Sequence, residues 1–309
     1  MRSQSTSHLL MIRPVHFGFN EQTASSNAFQ NVEIADQTKD QAQNEALTEF
    51  DEMVRLLTAV GVDVTVIEDT PDPHTPDSIF PNNWVSFHNN GTVITYPMQA
   101  ENRRLERRED ILSRLEKRFY INRRVDLSAF EKEGKFLEGT GSMVLDRKYK
   151  IAYACLSPRT DKEALDAFAL QMNYVVVAFN AVDELGRPIY HTNVLMCIGD
   201  LFAVICLDAV PDPDERQQVR TLLESSGRQI IEISLDQVKQ FAGNMLQVKN
   251  KRGEQLLIMS TRAYDSLTAR QIDMLDDYCQ ILHCDLQMIE NNGGGSARCM
   301  MAEIHLPEK

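Results

Sequence analysis

Long apolar runs are missing from this 309-residue chain. The first extends only from Leu9 to Ile12, and the two near the middle, 194–198 and 201–207, are separated by Gly199 and Asp200. A helix needs roughly 20 apolar residues to cross a bilayer, so none of these spans one. The polar residues 1–8 are followed by no signal-like apolar stretch. The expected compartment is the cytoplasm, with no membrane partner. Positive charge is also in short supply: the formal net charge is −13, which argues against a nucleic-acid partner. The one basic cluster, Arg103, Arg104, Arg107 and Arg108, is interleaved with Glu101, Glu106 and Glu109 and reads as a solvated helix face. There is no C-x-x-C pair and no pair of histidines three to five residues apart, so no metal site is expected. The six cysteines are scattered. Cys155, Cys197 and Cys206 read as buried strand residues, and disulfides are not expected.

What the chain does have is apolar content, 43% of its residues, and a repeat. Residues 84–88 and 92–96 read as two strands joined at Asn89-Asn90-Gly91, followed by a charged helix over 101–119. A hairpin over 143–146 and 150–156 precedes a helix over 161–172 and a strand over 174–179. A third hairpin, 194–198 and 201–207, precedes a helix over 213–225 and a strand over 229–233. A fourth, 245–249 and 254–259, precedes a helix over 268–278. The hairpins start at Trp84, Met143, Val194 and Met245, with a fifth near Met300, at spacings of 59, 51, 51 and 55 residues. Each unit is strand–strand–helix–strand. The expected fold is therefore a five-unit α/β-propeller closed into a ring, with strand 9–13 completing the last unit and helices outside. A doubly wound sheet would alternate single strands with helices, and no G-x-G-x-x-G follows the first strand. No linker divides the chain, so residues 1–309 are expected to form one catalytic domain.

Polar residues with chemical potential fall at one phase of this repeat. Asn82 and Asn83 precede Trp84, and Glu138-Gly-Thr-Gly precedes Met143. His191-Thr-Asn193 precedes Val194, Asn244 precedes Met245, and Cys299 precedes Met300. In a ring, equivalent positions converge at one end of the axis. Taken singly, Glu138 reads equally as a turn cap, His191 as a core histidine and the asparagines as turn formers. The stretch Gly293-Gly-Gly-Ser-Ala-Arg-Cys299 adds a loop whose backbone can approach a ligand closely, ending in a thiol.

These segments, together with Asp77-Ser-Ile-Phe-Pro-Asn-Asn83, Leu137-Glu-Gly-Thr-Gly141 and Leu156-Ser-Pro-Arg-Thr160, resemble the guanidino-group-modifying superfamily. Its α/β-propeller is the pentein fold, shared by arginine deiminase, dimethylarginine dimethylaminohydrolase and the amidinotransferases. The resemblance covers essentially the whole chain and is greatest to the bacterial citrulline-utilisation hydrolase group. It implies that Cys299 attacks the central carbon of a guanidino or ureido group, and that His191 protonates the leaving amine and then activates water. It further implies that Glu138 orients His191, Asp77 holds the substrate α-amino group and Arg159 holds its α-carboxylate. No cofactor and no metal are implied; the partner is a small-molecule amino acid, and homo-oligomerisation is left open.

Arginine deiminases resemble the chain except where they carry aspartates at the positions of Asn83 and Asn193. A carboxylate suits a guanidinium, whereas a carboxamide offers both a donor and an acceptor to a neutral ureido group. The expected reaction is therefore citrulline to ornithine, carbon dioxide and ammonia through an S-carbamoyl-cysteine. The next readings are an arginine deiminase or dimethylarginine dimethylaminohydrolase-like enzyme, then an amidinotransferase, then a catalytically silent propeller that binds an amino acid. Which of Asn82 and Asn83 meets the substrate is left open, as is whether the polar loop from Phe17 to Phe29 covers the site.

Overall fold

The apolar segments picked out by their periodicity become strands, and the strands gather into five three-stranded sheets in the computed structural model, which describes residues 3–24, 26, 27, 29, 30, 32–38 and 41–309. In chain order, β1 (His8–Arg13) runs parallel to β2 (Asp63–Glu68) and antiparallel to the last strand, β15 (Ala302–Glu303). Leu9 lies opposite Glu303, so the N-terminal strand completes the unit that begins near Met300, as the repeat requires. The second sheet holds β3 (Val85–Phe87), β4 (Thr92–Thr95) and β5 (Arg123–Asp126). The third holds β6 (Val144–Asp146), β7 (Ile151–Leu156) and β8 (Val175–Asn180). The fourth holds β9 (Met196–Ile198), β10 (Phe202–Ile205) and β11 (Gln229–Glu232), and the fifth β12 (Leu246–Lys249), β13 (Gln255–Ser260) and β14 (Gln280–Cys284). All five share one pattern, an antiparallel pair followed by a parallel third strand.

A parallel step needs a crossover, and helices supply it. Helix Ala42–Ala59 links β1 to β2 and buries Ala42, Ala46, Phe50, Met53 and Leu57, one stripe at a spacing of three to four residues. Helix Lys162–Met172 starts where the Asp161 carboxylate accepts the Glu163 and Ala164 N–H groups. Helix Pro213–Ser225 starts likewise at Asp212, with proline in its first turn.

Two expectations need correction. The helix expected over 101–119 is two short helices, Glu101–Arg104 and Glu109–Leu115, because only the second carries an apolar stripe, Ile111, Leu112 and Leu115. The hairpin expected from Val194 starts at Met196, since Thr192–Leu195 forms one helical turn. The Thr192 hydroxyl fixes that turn by donating to the Ser142 carbonyl (2.6 Å) and accepting from the Cys155 N–H (2.8 Å). Similar single turns, Pro81–Asn83 and Gly139–Ser142, precede β3 and β6, and the Gly139–Ser142 turn packs against both of the others.

Adjacent sheets are also joined by charge. Arg228, just before β11, donates to Asp146 at the end of β6 at 2.6 Å and to the Gly199 carbonyl at 2.8 Å, and both charged side chains are fully buried. Removing one partner strands the other in a dry environment. Arg228→Ala is therefore expected to lower the unfolding free energy by ~3–5 kcal/mol in urea titrations. A loss below ~1 kcal/mol would show that this pair does not hold the sheets together.

Candidate active site

The three single turns carry the first group of candidate residues. Glu138 precedes the Gly139–Ser142 turn and His191 precedes the Thr192–Leu195 turn, so packing turn on turn brings the two side chains together. His191 Nε2 donates to Glu138 Oε2 at 2.8 Å, and the other carboxylate oxygen accepts the Gln99 N–H at 3.0 Å. Gly141 makes this approach feasible: a Cβ there would lie 2.4 Å from Asn83 Nδ2 and 2.7 Å from His191 Cε1. Burial alone would raise the Glu138 pKa. Arg159 at 3.5 Å, the His191 bond and Arg103 at 3.8 Å together hold it well below the usual carboxylate range. Burial pushes His191 down to about 4, against the pull of Glu138. At neutral pH the imidazole is thus uncharged, with its proton on Nε2 facing an ionised carboxylate and Nδ1 left as an acceptor.

Cys299 comes from the other end of the chain. The helix Gln287–Gly293 ends at Gly294 in a left-handed conformation (φ 65°), where a side chain would collide with Asn27 and Gln30. The loop then turns into Cys299, whose N–H donates to the Ser296 carbonyl at 2.9 Å. The sulfur receives Nδ2 of Asn244 at 3.3 Å and Nδ2 of Asn193 at 3.5 Å. The other five cysteines are raised by burial to between about 11 and about 12, which keeps them as thiols. Cys155 and Cys197 sit in β7 and β9 as expected, while Cys206 lies one residue beyond β10.

Asp77 and Arg159 stand in the same cavity. One Asp77 oxygen accepts from Asn20 Nδ2 at 2.7 Å, and the other is buried without a partner. Burial raises this carboxyl, with Arg103 and Asn20 opposing. Arg159 donates through Nε and Nη2 to the Ser26 hydroxyl (3.0 and 2.7 Å) and through Nη2 to the Thr23 carbonyl (3.0 Å), with its guanidinium over the Tyr190 ring. Asn20, Thr23 and Ser26 belong to the polar loop singled out in the sequence. That loop covers the site; its residues 25 and 28 lie outside the described residues. Asn27 extends the cover to the carbonyls of Gly293 and Gly294.

The cavity beneath is small, about 10 Å³, and is lined by Asn27, Asp77, Phe80, Asn83, Arg103, Arg159, Tyr190, His191, Gly293, Gly294, Gly295 and Cys299. That volume is about one water's worth, so a ligand the size of an amino acid requires the loop to move. Asn83 lines it and Asn82 does not; both amide atoms of Asn82 are buried without partners. Glu138 lies behind His191, and Asn193 behind Cys299.

The sequence reading missed Arg103. Far from forming a solvated face, it is 2% exposed and forks at 2.9 and 3.0 Å onto Glu106, which is buried too, while Arg104, Arg107 and Arg108 are half-buried. Arg103 Nη1 donates to Asn83 Oδ1 at 2.9 Å, and its Nε lies 3.7 Å from Asp77. Alternating charges gave no hint that one arginine turns inward. Asn244 was visible only by its phase. Among the described residues no cluster of metal-ligating side chains occurs, and no helix is long and apolar enough to cross a membrane.

The geometry can be set beside known proteins. A sequence model of the family described as N,N dimethylarginine dimethylhydrolase, eukaryotic, matches residues 13–306. No curated protein matches. Among solved structures, the apo arginine dihydrolase ArgZ of the ornithine–ammonia cycle in cyanobacteria is similar at 17% identity and TM-score 0.75, over 97% of this chain and 41% of that one. The chain thus spans about two fifths of that enzyme's length. Its N-terminal domain bound to product aligns at 17% identity and TM-score 0.75 over 97% of this chain and 98% of that domain. A dimethylarginine dimethylaminohydrolase adduct with 4-chloro-2-hydroxymethylpyridine aligns at 17% identity and TM-score 0.64 over 98% and 100%. These likenesses establish a shared mixed α/β pentein fold.

The His191 environment yields a pH prediction. The unfolded imidazole titrates near 6.5 and the folded one at about 4. Between those values the unfolded chain binds a proton that the folded chain does not. The stabilising contribution is therefore complete above the unfolded value and is lost as pH falls towards the folded one. The unfolding free energy of the wild type relative to His191→Gln should drop by about 3 kcal/mol from pH 7 to pH 4. A difference that does not vary with pH would contradict the assignment of a neutral, buried His191.

Proposed function

The chain belongs to the N,N-dimethylarginine dimethylhydrolase family, hydrolases of carbon–nitrogen bonds other than peptide bonds, within the guanidino-group-modifying, pentein-fold superfamily; on that footing we propose that it is a cysteine-dependent hydrolase of a free ureido amino acid, converting citrulline to ornithine, carbon dioxide and ammonia. One observation carries the reading. Cys299, His191, Asp77 and Arg159, from distant parts of the chain, line a single cavity, with Glu138 bonded to His191 behind it. We also take the five sheets to close into a ring, because contacts join β15 to β3, β6 to β9 and β9 to β12, and residues 1–309 to act as one catalytic domain.

In this mechanism the α-ammonium of the substrate replaces Asn20 on Asp77, and its α-carboxylate replaces Ser26 and the Thr23 carbonyl on Arg159. The Cys299 proton passes to His191 Nδ1, and the imidazolium is held by the ionised Glu138. The thiolate attacks the ureido carbon, and the bond to the δ-nitrogen breaks as His191 protonates that nitrogen. Ornithine leaves an S-carbamoyl-cysteine. Neutral His191 then takes a proton from water, which attacks the carbamoyl carbon. The carbamate falls apart to carbon dioxide and ammonia, and the thiolate recovers its proton.

The ureido reading rests on hydrogen-bond direction. Arginine side chains donate and never accept. Arg103 must therefore meet Asn83 at Oδ1, which leaves Nδ2 of this cavity-lining residue as a buried, unpartnered donor. A guanidinium offers no acceptor for it, whereas a ureido carbonyl does. Asn193 keeps an unpartnered Oδ1 for a ureido N–H. The rival reading, a guanidino substrate, is favoured by the family match and by the arginine dihydrolase likeness. It would place a cation in a pocket that already holds Arg103 and Arg159.

Product analysis separates the two. Purified protein is expected to turn over citrulline with a kcat/KM about 10²-fold above that for arginine, since each 1.4 kcal/mol of mispairing costs tenfold. Asn83→Asp combined with Asn193→Asp should erode that ratio mainly by harming citrulline turnover. Preference for arginine or a methylarginine by the wild type would overturn the ureido reading and leave the hydrolase reading intact.

A further inference from the structure

Cys299 has no hydrogen bond to His191 among the described residues; the atoms that serve its sulfur are carboxamides. Of these, Asn244 is held in one orientation. Its Oδ1 accepts the backbone N–H of Arg298 at 3.0 Å, and its Nδ2 donates to the backbone carbonyl of Asn193 at 3.0 Å. A backbone N–H only donates and a carbonyl only accepts, so neither contact survives a flip of the amide. The second Nδ2 hydrogen is left for Cys299 Sγ at 3.3 Å. Asn244 is fully buried, so no water competes for that hydrogen.

The local sequence explains the clamp. A Cβ at Gly243 would lie 2.3 Å from the Val194 carbonyl oxygen and 2.7 Å from the Leu195 carbonyl carbon. Only glycine lets the chain press against the Thr192–Leu195 turn, and that contact delivers Asn244 to Asn193 and to the sulfur. The thiol proton finds Asn244 Oδ1 at 3.7 Å, the longest of the carboxamide contacts to the sulfur, on an oxygen shared with the Arg298 N–H. Two N–H donors at 3.3 and 3.5 Å against a single acceptor at 3.7 Å favour the anionic form of the sulfur over the neutral one.

We propose that Asn244 is a catalytic residue whose carboxamide N–H, seconded by that of Asn193, stabilises the Cys299 thiolate on which carbon–nitrogen cleavage depends. The proposal rests on Cys299 being the nucleophile. It assigns the anion to amide donors, while the proton that Cys299 gives up is carried by His191 to the leaving nitrogen.

The test is the pH dependence of Cys299 alkylation by iodoacetamide in the full chain, followed by peptide mass. Loop opening limits access equally in wild type and variants, so the midpoint of the rate–pH curve reports the thiolate. Asn244→Asp replaces the donor with an oxygen of the same shape and should move the midpoint up by about one pH unit or more, a tenfold or greater loss of thiolate at neutral pH. Asn193→Ser should move it less. The kcat optimum should shift to higher pH in step, with KM little changed. If Asn244→Asp does not fold, Asn244→Ser, which retains a partner for the Arg298 N–H, should show a smaller upward shift. An unmoved midpoint in a folded Asn244 variant with low kcat would make Asn244 structural and overturn the proposal. Labelling that falls on another cysteine, or turnover surviving in Cys299→Ser, would instead remove the nucleophile on which both readings stand.

Discussion

A buried balance of charge governs this site. Arg103 and Arg159 are sealed from water among Asp77, Glu106 and Glu138, with every one of the five side chains less than a twentieth exposed. Burial raises Asp77 and lifts Glu106 to about 8, leaving Glu138 as the one carboxylate of the three held well below the usual range, so the two guanidiniums are not outnumbered by ionised carboxylates. Burial keeps the imidazole neutral at rest, and it rests on an ionised carboxylate able to hold its conjugate acid. A ligand with no net charge at its amino-acid end would leave this balance where it was, with an ammonium on Asp77 and a carboxylate on Arg159. A further cation at the reacting end, unaccompanied by a carboxylate at position 83 or 193, would disturb it.

The same balance explains the closed state of the loop. With no ligand, Asp77 and Arg159 would be charges buried without hydrogen bonds. Asn20, Thr23 and Ser26 supply those bonds from the loop. Each contact copies one that an amino-acid zwitterion would make, a donor on the carboxylate and acceptors on the guanidinium. Exchange of loop for substrate therefore swaps like interactions for like, and the polar composition of the loop follows from that requirement.

Much of this was legible in the chain. The strand–strand–helix–strand period located the five sheets and the pairing of the first strand with the last, because hairpins and amphipathic helices are written in local patterns. The shared phase of Glu138, His191, Asn193 and Cys299 foretold which residues meet. Three features were hidden. The one-turn helices before β3, β6 and β9 depend on tertiary hydrogen bonds such as that of Thr192 to Ser142, which no local propensity records. Arg103 and Glu106 looked like parts of a solvated face because inward burial is decided by partners, here each other and Asn83, that a charge pattern does not reveal. Asn244 looked like a turn former; only the placement of the Arg298 N–H and the Asn193 carbonyl shows which way its amide points.

Attack by the Cys299 sulfur on a ureido carbon is the centre of this account, and it leaves a mark that mass spectrometry can read. A His191→Gln variant is expected to form the thioester-like carbamoyl adduct slowly and release it more slowly still, since it cannot activate water. Rapid quenching with citrulline should give a protein heavier by one carbamoyl group, with the added mass on the peptide containing Cys299 and absent from a Cys299→Ser double variant. Formation of ornithine with no adduct at Cys299, or an adduct on any other residue, would contradict covalent catalysis at this cysteine.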